Sequence, residues 1–451
     1  MNAHRRKLAD VHTHFFGCIG AADFLEFLRG REVDWDAYRR KYLQVYGTDP
    51  RVEEILERCR SGAPGAPREF ERLFVFGDED SGNFERFQAK YDMLIHGVDS
   101  IRYSGGQVSL PTLIDGLRTF IRQIVARQRR ENVGYIEQRM TLGSKYTPAQ
   151  AKDLALAMLG SLAECEDADM QPRLAISLSR DNPWPAWEVT QEVAAGPLGR
   201  LLTGVDFCYF EEGHPPKKQL ELFEAVRDFN RRLPERALAI LYHVGESFED
   251  KSLESAVRWV HEAAEMGAHR LGHAISLGVD PTRFGEHRRS ESVGERIDQL
   301  NYDLRHKEGL GKFGVGIDAV GVAEELRTIG ECPPDQRLTI EYDDARLEEV
   351  RQRQRYAIDR IRALGSVIEV CPTSNRRIAG IERPEHHPVK EFIASDAPFV
   401  VATDDPGIFG TTLADEIAWV MEHHHLPSDA MEHLVDRSWN SRSEVLTGRL
   451  S

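Results

Sequence analysis

The chain has 451 residues, 41% of them hydrophobic and 29% charged, which is the composition of an ordinary soluble globular protein with material for a large core. At ~150 residues per domain this length suggests about three domains, although a single α/β barrel with insertions reaches the same size. The 58 Lys+Arg against 74 Asp+Glu leave a formal charge of −16, which repels polyanions and excludes a general nucleic-acid or anionic-membrane surface.

Eight short runs rich in Val, Ile, Leu or Ala, most turning polar at their C-terminal end, predict strands. The first covers 8–14 (LADVHTH). Residues 15–130 after it read as mostly helical, with a Gly/Pro break at 61–67 (SGAPGAP) and apolar positions three and four apart over 113–130. Strand two (133–141) precedes a helix over 149–164 that Pro148 opens. Strands three (173–180) and four (201–209) come next, followed by a helix over 217–232. Strand five (237–246), a helix over 252–266 and strand six (269–276) continue the alternation. A charge-rich stretch, 277–345, leads into a helix over 345–364. Strands seven (366–374) and eight (399–406), a helix over 411–425 and a last amphipathic helix over 428–447 complete the chain. Strands alternating with helices imply a parallel sheet with right-handed crossovers. Eight such units predict a (β/α)8 TIM barrel, one domain over 1–451, with helical insertions after strand one (15–130) and after strand six (277–345) at the barrel mouth.

The chemistry gathers at the strand ends. His12 and His14 are two residues apart, so on a strand both imidazoles point to one side. On this motif alone they read either as two ligands of a divalent metal or as two solvated polar residues. YHVGE brings His243 and Glu246 to the end of strand five. One group suits a metal and the other suits proton transfer. RLGHA brings His273, and ATDDP brings Asp404 and Asp405. Adjacent carboxylates repel each other unless a cation or donor offsets them, and the plainer reading of this pair is a cap on the next helix. Three His and one carboxylate suit one Zn²⁺ or another divalent transition metal.

HTH, HVGE, RLGHA, EVCPTSN and ATDDP, in this order and at strand ends, resemble the adenosine deaminase family of metal-dependent hydrolases, over residues 8 to about 445. The resemblance implies that His12, His14, His243 and Asp404 ligate zinc. It implies that Glu246 protonates a purine ring nitrogen, that His273 holds and helps activate the water on zinc, and that Asp405 hydrogen-bonds the five-membered ring of the purine. It reads CPTSN as mainly structural. The 277–345 segment is longer than the short link the family has there, and in the substrate pocket the chain departs from the family twice. HTHFFG places Phe16 where members acting on adenosine carry a ribose-binding Asp, and VDFCYFEE places Tyr209 where a Gly meets the purine. Phe16 and Tyr209 are therefore the candidate residues that set the substrate.

The implied activity is zinc-dependent deamination of a 6-aminopurine nucleoside or related purine, with release of ammonia. A metal-dependent hydrolase of another amino-substituted heterocycle or a cyclic amide is the alternative, and a non-catalytic barrel used for assembly stands third. The expected partner is a small purine-like molecule, not a nucleic-acid polymer or a membrane, and a homo-oligomer is left open. The opening MNAHRRKLADVHTHFFG lacks the apolar run of a secretory leader, and the six cysteines form no CxxC pair. A cytoplasmic location is expected, without a disulfide framework. Arg283, Arg288, Arg289, Arg305 and Lys307 in the second insertion read as a solvated surface before a phosphate contact.

Overall fold

A computed structural model describes residues 6–99, 101–102, 109–143, 146–207 and 210–450. Eight parallel strands form one sheet: β1 (Leu8–His14), β2 (Val133–Thr141), β3 (Gln171–Ser177), β4 (Leu202–Asp206), β5 (Ala239–Val244), β6 (Arg270–His273), β7 (Val367–Val370) and β8 (Phe399–Val401). They lie side by side in chain order. A parallel bridge between Thr13 and Asp404 brings the last strand back to the first. There the His14 amide donates to the Asp404 carbonyl at 2.8 Å and the Asp404 amide donates to the His12 carbonyl at 2.9 Å. The result is the predicted TIM barrel, with helices between the strands.

Most strands stop short of the sequence estimate, because their polar tails leave the ladder to form the mouth. β6 ends where His273 and Ala274 adopt left-handed backbone, with φ of 64° and 47°. β7 ends where Pro372 opens a short helix, Pro372–Ile378. The predicted cap role of the two aspartates after β8 is filled by Thr412 instead, whose hydroxyl accepts from the Asp415 amide. The single helix expected over 428–447 is broken into Ala430–Asn440 and Ser443–Leu446. The Ser443 amide donates to the buried Glu137 carboxylate at 2.7 Å instead of continuing the first helix. NPWPAW begins the helix Trp184–Ala195, where Trp187 is buried against Phe229 and Trp184 stays exposed.

The first insertion is helical, as predicted. Five helices between Ala21 and Asp99 pack Phe24, Phe27, Phe70 and Phe74 into an aromatic core with Phe120 of the helix Leu110–Arg130. Arg127 on that helix donates to the carbonyls of Cys18 (2.9 Å), Thr411 (3.0 Å) and Pro406 (3.3 Å), which ties the insertion to the mouth loops after β1 and β8. The second insertion contains an antiparallel hairpin, His287–Ser292 with Arg337–Tyr342, enclosing the helices Val293–Lys312 and Ala319–Ile329. Three of its basic residues, Arg288, Arg289 and Arg305, have partners. Arg288 pairs with Glu341 at 2.7 Å, and Arg289 donates to the Lys251 carbonyl at 3.0 Å. No helix among the described residues is long and apolar enough to cross a membrane.

Candidate active site

The residues singled out from the sequence meet at the C-terminal mouth of the barrel. His12 and His14 come from β1, His243 from β5, His273 from the end of β6, and Asp404 and Asp405 from the turn after β8. Across the mouth, His12 Nε2 and His243 Nε2 stand 3.1 Å apart. His12 Nε2 is 3.6 Å from an Asp404 oxygen, and His14 Nδ1 is 2.8 Å from the same oxygen. Three triads at the mouth bring their ligand atoms close enough to share an ion, His12–His14–Asp404, His12–His243–His273 and His14–Asp206–His243, so that His12, His14 and His243 each belong to two of them.

The other ring nitrogens reveal the supporting layer. His12 Nδ1 lies 2.9 Å from Glu369 Oε2, and His243 Nδ1 lies 3.0 Å from Asp206 Oδ1. Both carboxylates are fully buried. Arg139 bridges them, 3.1 Å from Asp206 Oδ1 and in contact with Glu369 Oε1, and Arg270 adds a second cation 3.1 Å from Glu369. Ser177 also donates to Asp206 at 2.8 Å. Burial resists charge on both carboxylates, but His243 and Arg139 around Asp206, and Arg139, His12 and Arg270 around Glu369, hold both below the usual carboxylate range. They are therefore ionised acceptors, which fixes the Nδ1–H tautomer on both imidazoles. Burial, with Arg139 nearby, keeps His12 neutral, and burial pushes His243 down to about 3. Two neutral rings thus aim Nε2 lone pairs at each other across 3.1 Å. That arrangement repels itself unless a cation lies between.

His14 Nε2 is buried with no hydrogen-bond partner. Burial opposes a charge on His14, yet the Asp405 and Asp404 carboxylates raise its proton affinity well above the ordinary value. A proton or a divalent ion answers the same need. Asp404 Oδ2 accepts from Ser374 Oγ at 2.6 Å, and Asp404 has a left-handed φ of 64°. Burial and the neighbouring Asp404 charge push the Asp405 carboxyl up to about 7. The donor set of imidazoles and one carboxylate fits Zn²⁺ or a similar ion.

Glu246 and His273 face each other at 3.6 Å. Burial, reinforced by Asp404 and Glu211, raises the Glu246 carboxyl above its ordinary value. Burial opposes charge on His273, but Glu246 and Asp404 prevail and raise it. His273 Nδ1 is held by Asn375 Oδ1 at 2.8 Å. The CPTSN run therefore supplies Ser374 and Asn375 to the site, beyond the structural role expected of it. Glu211 also escaped the sequence reading. Its buried carboxylate accepts from the amides of Gly245 (2.8 Å), Glu246 (3.1 Å) and Ser247 (3.3 Å), and so braces the turn that presents Glu246. Gly245 in that turn has a φ of 72°, and a Cβ there would stand 2.5 Å from Ser276 Oγ. Gly17 is equally constrained, because a Cβ would stand 1.7 Å from Asp405 Oδ1.

Of the two candidate substrate residues, Phe16 is half-buried and packs edge-on against Phe15 (5.2 Å) and Phe120 (5.8 Å), in the apolar wall between the mouth and the first insertion. Tyr209 lies outside the described residues.

Residues 343–442 match the family model described as adenosine deaminase. The chain is 30% identical over 281 residues to an aminodeoxyfutalosine deaminase of Streptomyces avermitilis, covering 55% of this chain and 75% of that protein. A protein of the same name from Streptomyces coelicolor is 26% identical over 250 residues, covering 48% of this chain and 63% of its own, slightly under two thirds of its length. Among solved structures, Arabidopsis ADAL complexed with IMP superposes with a TM-score of 0.56 at 15% identity, over 98% of this chain and 94% of that one. A Burkholderia ambifaria amidohydrolase with bound Zn gives 0.52 at 15% identity, over 97% and 85%. At such identities the two structures speak to the fold alone.

Proposed function

The chain belongs to the adenosine deaminase family of amidohydrolase-type enzymes, and from that premise we propose that it hydrolyses the exocyclic amine of a 6-aminopurine nucleoside, nucleotide or related purine, releasing ammonia. The observation that carries the proposal is the pair of neutral imidazoles, His12 and His243, whose Nε2 atoms face each other at 3.1 Å while buried carboxylates hold their other nitrogens. His12, His14, His243 and Asp404 would hold one zinc ion, in keeping with the zinc in the Burkholderia structure. When bound, that ion supplies a Lewis acid that makes water nucleophilic near neutral pH.

The remaining steps belong to the chain. Glu246, its carboxyl raised by burial, donates a proton to the ring nitrogen next to the amine-bearing carbon, so that the carbon accepts the water oxygen. His273, oriented by Asn375 and 3.6 Å from Glu246, takes up the proton this oxygen sheds. The carbon becomes tetrahedral. Its bond to nitrogen breaks as His273 passes its proton to the departing amine, which leaves as ammonia, while the oxygen gives its second proton back to Glu246 and stays as the new carbonyl. Asp405, with a carboxyl near 7, holds a hydrogen-bonding site for the five-membered ring. The IMP in the Arabidopsis structure supports a purine-sized occupant.

Phe16 favours a second reading, a different amino-substituted heterocycle, because a phenyl ring accepts no hydrogen bond from a ribose hydroxyl. The first reading is tested by release of ammonia from adenosine, adenine, AMP and methylthioadenosine, and of the substituted amine from N6-substituted purines, with zinc analysis and a Glu246→Gln control; the same assay on non-purine amino-heterocycles tests the second. Turnover of at least one purine with stoichiometric metal, lost by about 10²–10⁴-fold in the variant, is expected. A protein that holds no stoichiometric metal and turns over no aminopurine after zinc addition refutes the proposal. Turnover that survives Glu246→Gln refutes the mechanism.

A further inference from the structure

Away from the barrel mouth, three helices converge on a second cluster of ligand-type side chains. His261 and Glu265 are one turn apart on the helix Leu253–Glu265, which packs on the outside of the barrel. His306 comes from the helix Val293–Lys312 of the second insertion. His261 Nε2 and His306 Nε2 lie 3.6 and 3.5 Å from the same oxygen, Glu265 Oε1, and one ligand atom from each residue falls within 4.8 Å of the others.

Both rings are oriented from behind. His261 Nδ1 is 2.7 Å from the Tyr302 hydroxyl, and His306 Nδ1 is 2.9 Å from the Tyr356 hydroxyl on the helix Asp344–Leu364. A phenol oxygen that accepts from Nδ1–H leaves the Nε2 lone pair facing the cluster, the arrangement found behind metal-bound histidines. Arg305 Nε–H donates to His306 Nε2 at 3.2 Å, so that nitrogen already acts as an acceptor. The Arg305 side chain is 59% exposed and also reaches Glu262, so it can leave His306 while keeping that carboxylate. His261 is fully buried, and its Nε2 has no hydrogen-bond partner. Glu265 and His306 are partly exposed, at 34% and 12%, which gives the cluster one open side toward water.

We propose that His261, Glu265 and His306 form a second divalent-metal site, suited to Zn²⁺ with water as fourth ligand, that fastens the second insertion to the barrel wall. The donor set of two imidazoles and one carboxylate, with each Nδ1 backed by a hydroxyl, matches the ion's chemistry. The site shares no residue with the catalytic mouth. Its role is structural, because it joins one helix of the barrel to one of the insertion.

The test uses the full chain, stripped with chelator and reloaded with zinc alone, then passed into metal-free buffer. Wild type, His306→Ala and Glu265→Gln are compared for zinc per chain and for the rise in thermal midpoint on reloading. Both variants are expected to hold about one ion fewer per chain, to show a smaller zinc-dependent rise, and to keep wild-type turnover. Glu265→Gln preserves size and helix propensity, so the comparison survives should His306→Ala fold poorly. Equal zinc content in wild type and Glu265→Gln, or an equal rise in midpoint, overturns the second site. Failure of the catalytic site reads differently: zinc would still be lost in these variants but retained in His12→Ala.

Discussion

Replacing Glu369 by Gln tests the buried support behind the site. The carboxylate faces three donors at once: His12 Nδ1 at 2.9 Å, Arg270 Nε at 3.1 Å, and Arg139. All four side chains are fully buried. An amide of the same shape turns an NH₂ group against either the imidazole or the guanidinium groups, and leaves two buried cations with one carboxylate fewer. Breaking a buried pair from one side costs about 3–5 kcal/mol. With an unfolding entropy of about 2.1 cal/mol/K per residue, a chain of this length loses about 1 °C of midpoint per kcal/mol, so a fall of about 3–5 °C is expected. His12 also exchanges the ionised acceptor that fixes its tautomer for a neutral amide, which lowers zinc affinity by about 10–100-fold. Differential scanning calorimetry of the metal-free protein gives the first quantity, and competition against a chelator of known affinity gives the second. Asp78→Asn serves as control, because the Asp78 carboxylate paired with Arg377 is 76% exposed and its loss is expected to leave the midpoint unchanged. Glu369→Gln with a wild-type midpoint, or with wild-type zinc affinity, would refute the assigned role of this carboxylate.

Gly17→Ala places a methyl 1.7 Å from Asp405 Oδ1 and is expected to lower kcat/KM by at least about tenfold, with zinc content retained; wild-type steady-state kinetics would contradict the assigned close approach. Glu211→Gln sets an NH₂ group against one side of the three amides of the turn carrying Glu246. It is expected to lower kcat by roughly tenfold, and an unchanged kcat denies the bracing role. His387 is buried and neutral, pushed down by burial to about 3. Below pH 6.5 the unfolded chain takes up a proton there that the folded chain refuses, so stability is full above 6.5 and is lost as pH falls toward 3. Between pH 7 and pH 5 this histidine accounts for about 2 kcal/mol, and His387→Gln should lose about 2 °C less over that interval. Identical pH profiles for the two proteins would remove His387 as the cause.

The ligand-type residues were legible because they lie where apolar strands turn polar, and His12 and His14 because a two-residue spacing puts them on one side. Their support was not. Arg139, Asp206 and Glu369 sit inside strands and look like the polar face of an ordinary ladder, whereas in a closed barrel such positions point into the interior. The usable signal was a charge within an otherwise apolar run, which needs a partner when buried. Ser374 and Asn375 follow a proline that starts a helix, so their reach to Asp404 and His273 depends on tertiary placement that periodicity does not carry. The eight-strand barrel followed from alternation alone. The hairpin of the second insertion did not, because one of its strands is HRRSES, without a β-branched or aromatic residue, and gains its form from pairing with RLTIEY.

The seam between β8 and β1 has a consequence for how the chain reaches its working state. Its two amide hydrogen bonds join residues 12–14 to residue 404, contacts of very long sequence separation, the kind whose loop-closure entropy is met late in folding. A chain emerging from the ribosome cannot complete the ring until residue 404 has been made, and β1 keeps one unpaired edge until then. An ion shared by His12, His14 and Asp404 would act as a clip across that gap, so maturation of the catalyst and closure of the ring become one event. Amide exchange at His14 and Asp404 reports both together, slow in the zinc-loaded protein and faster in the stripped one.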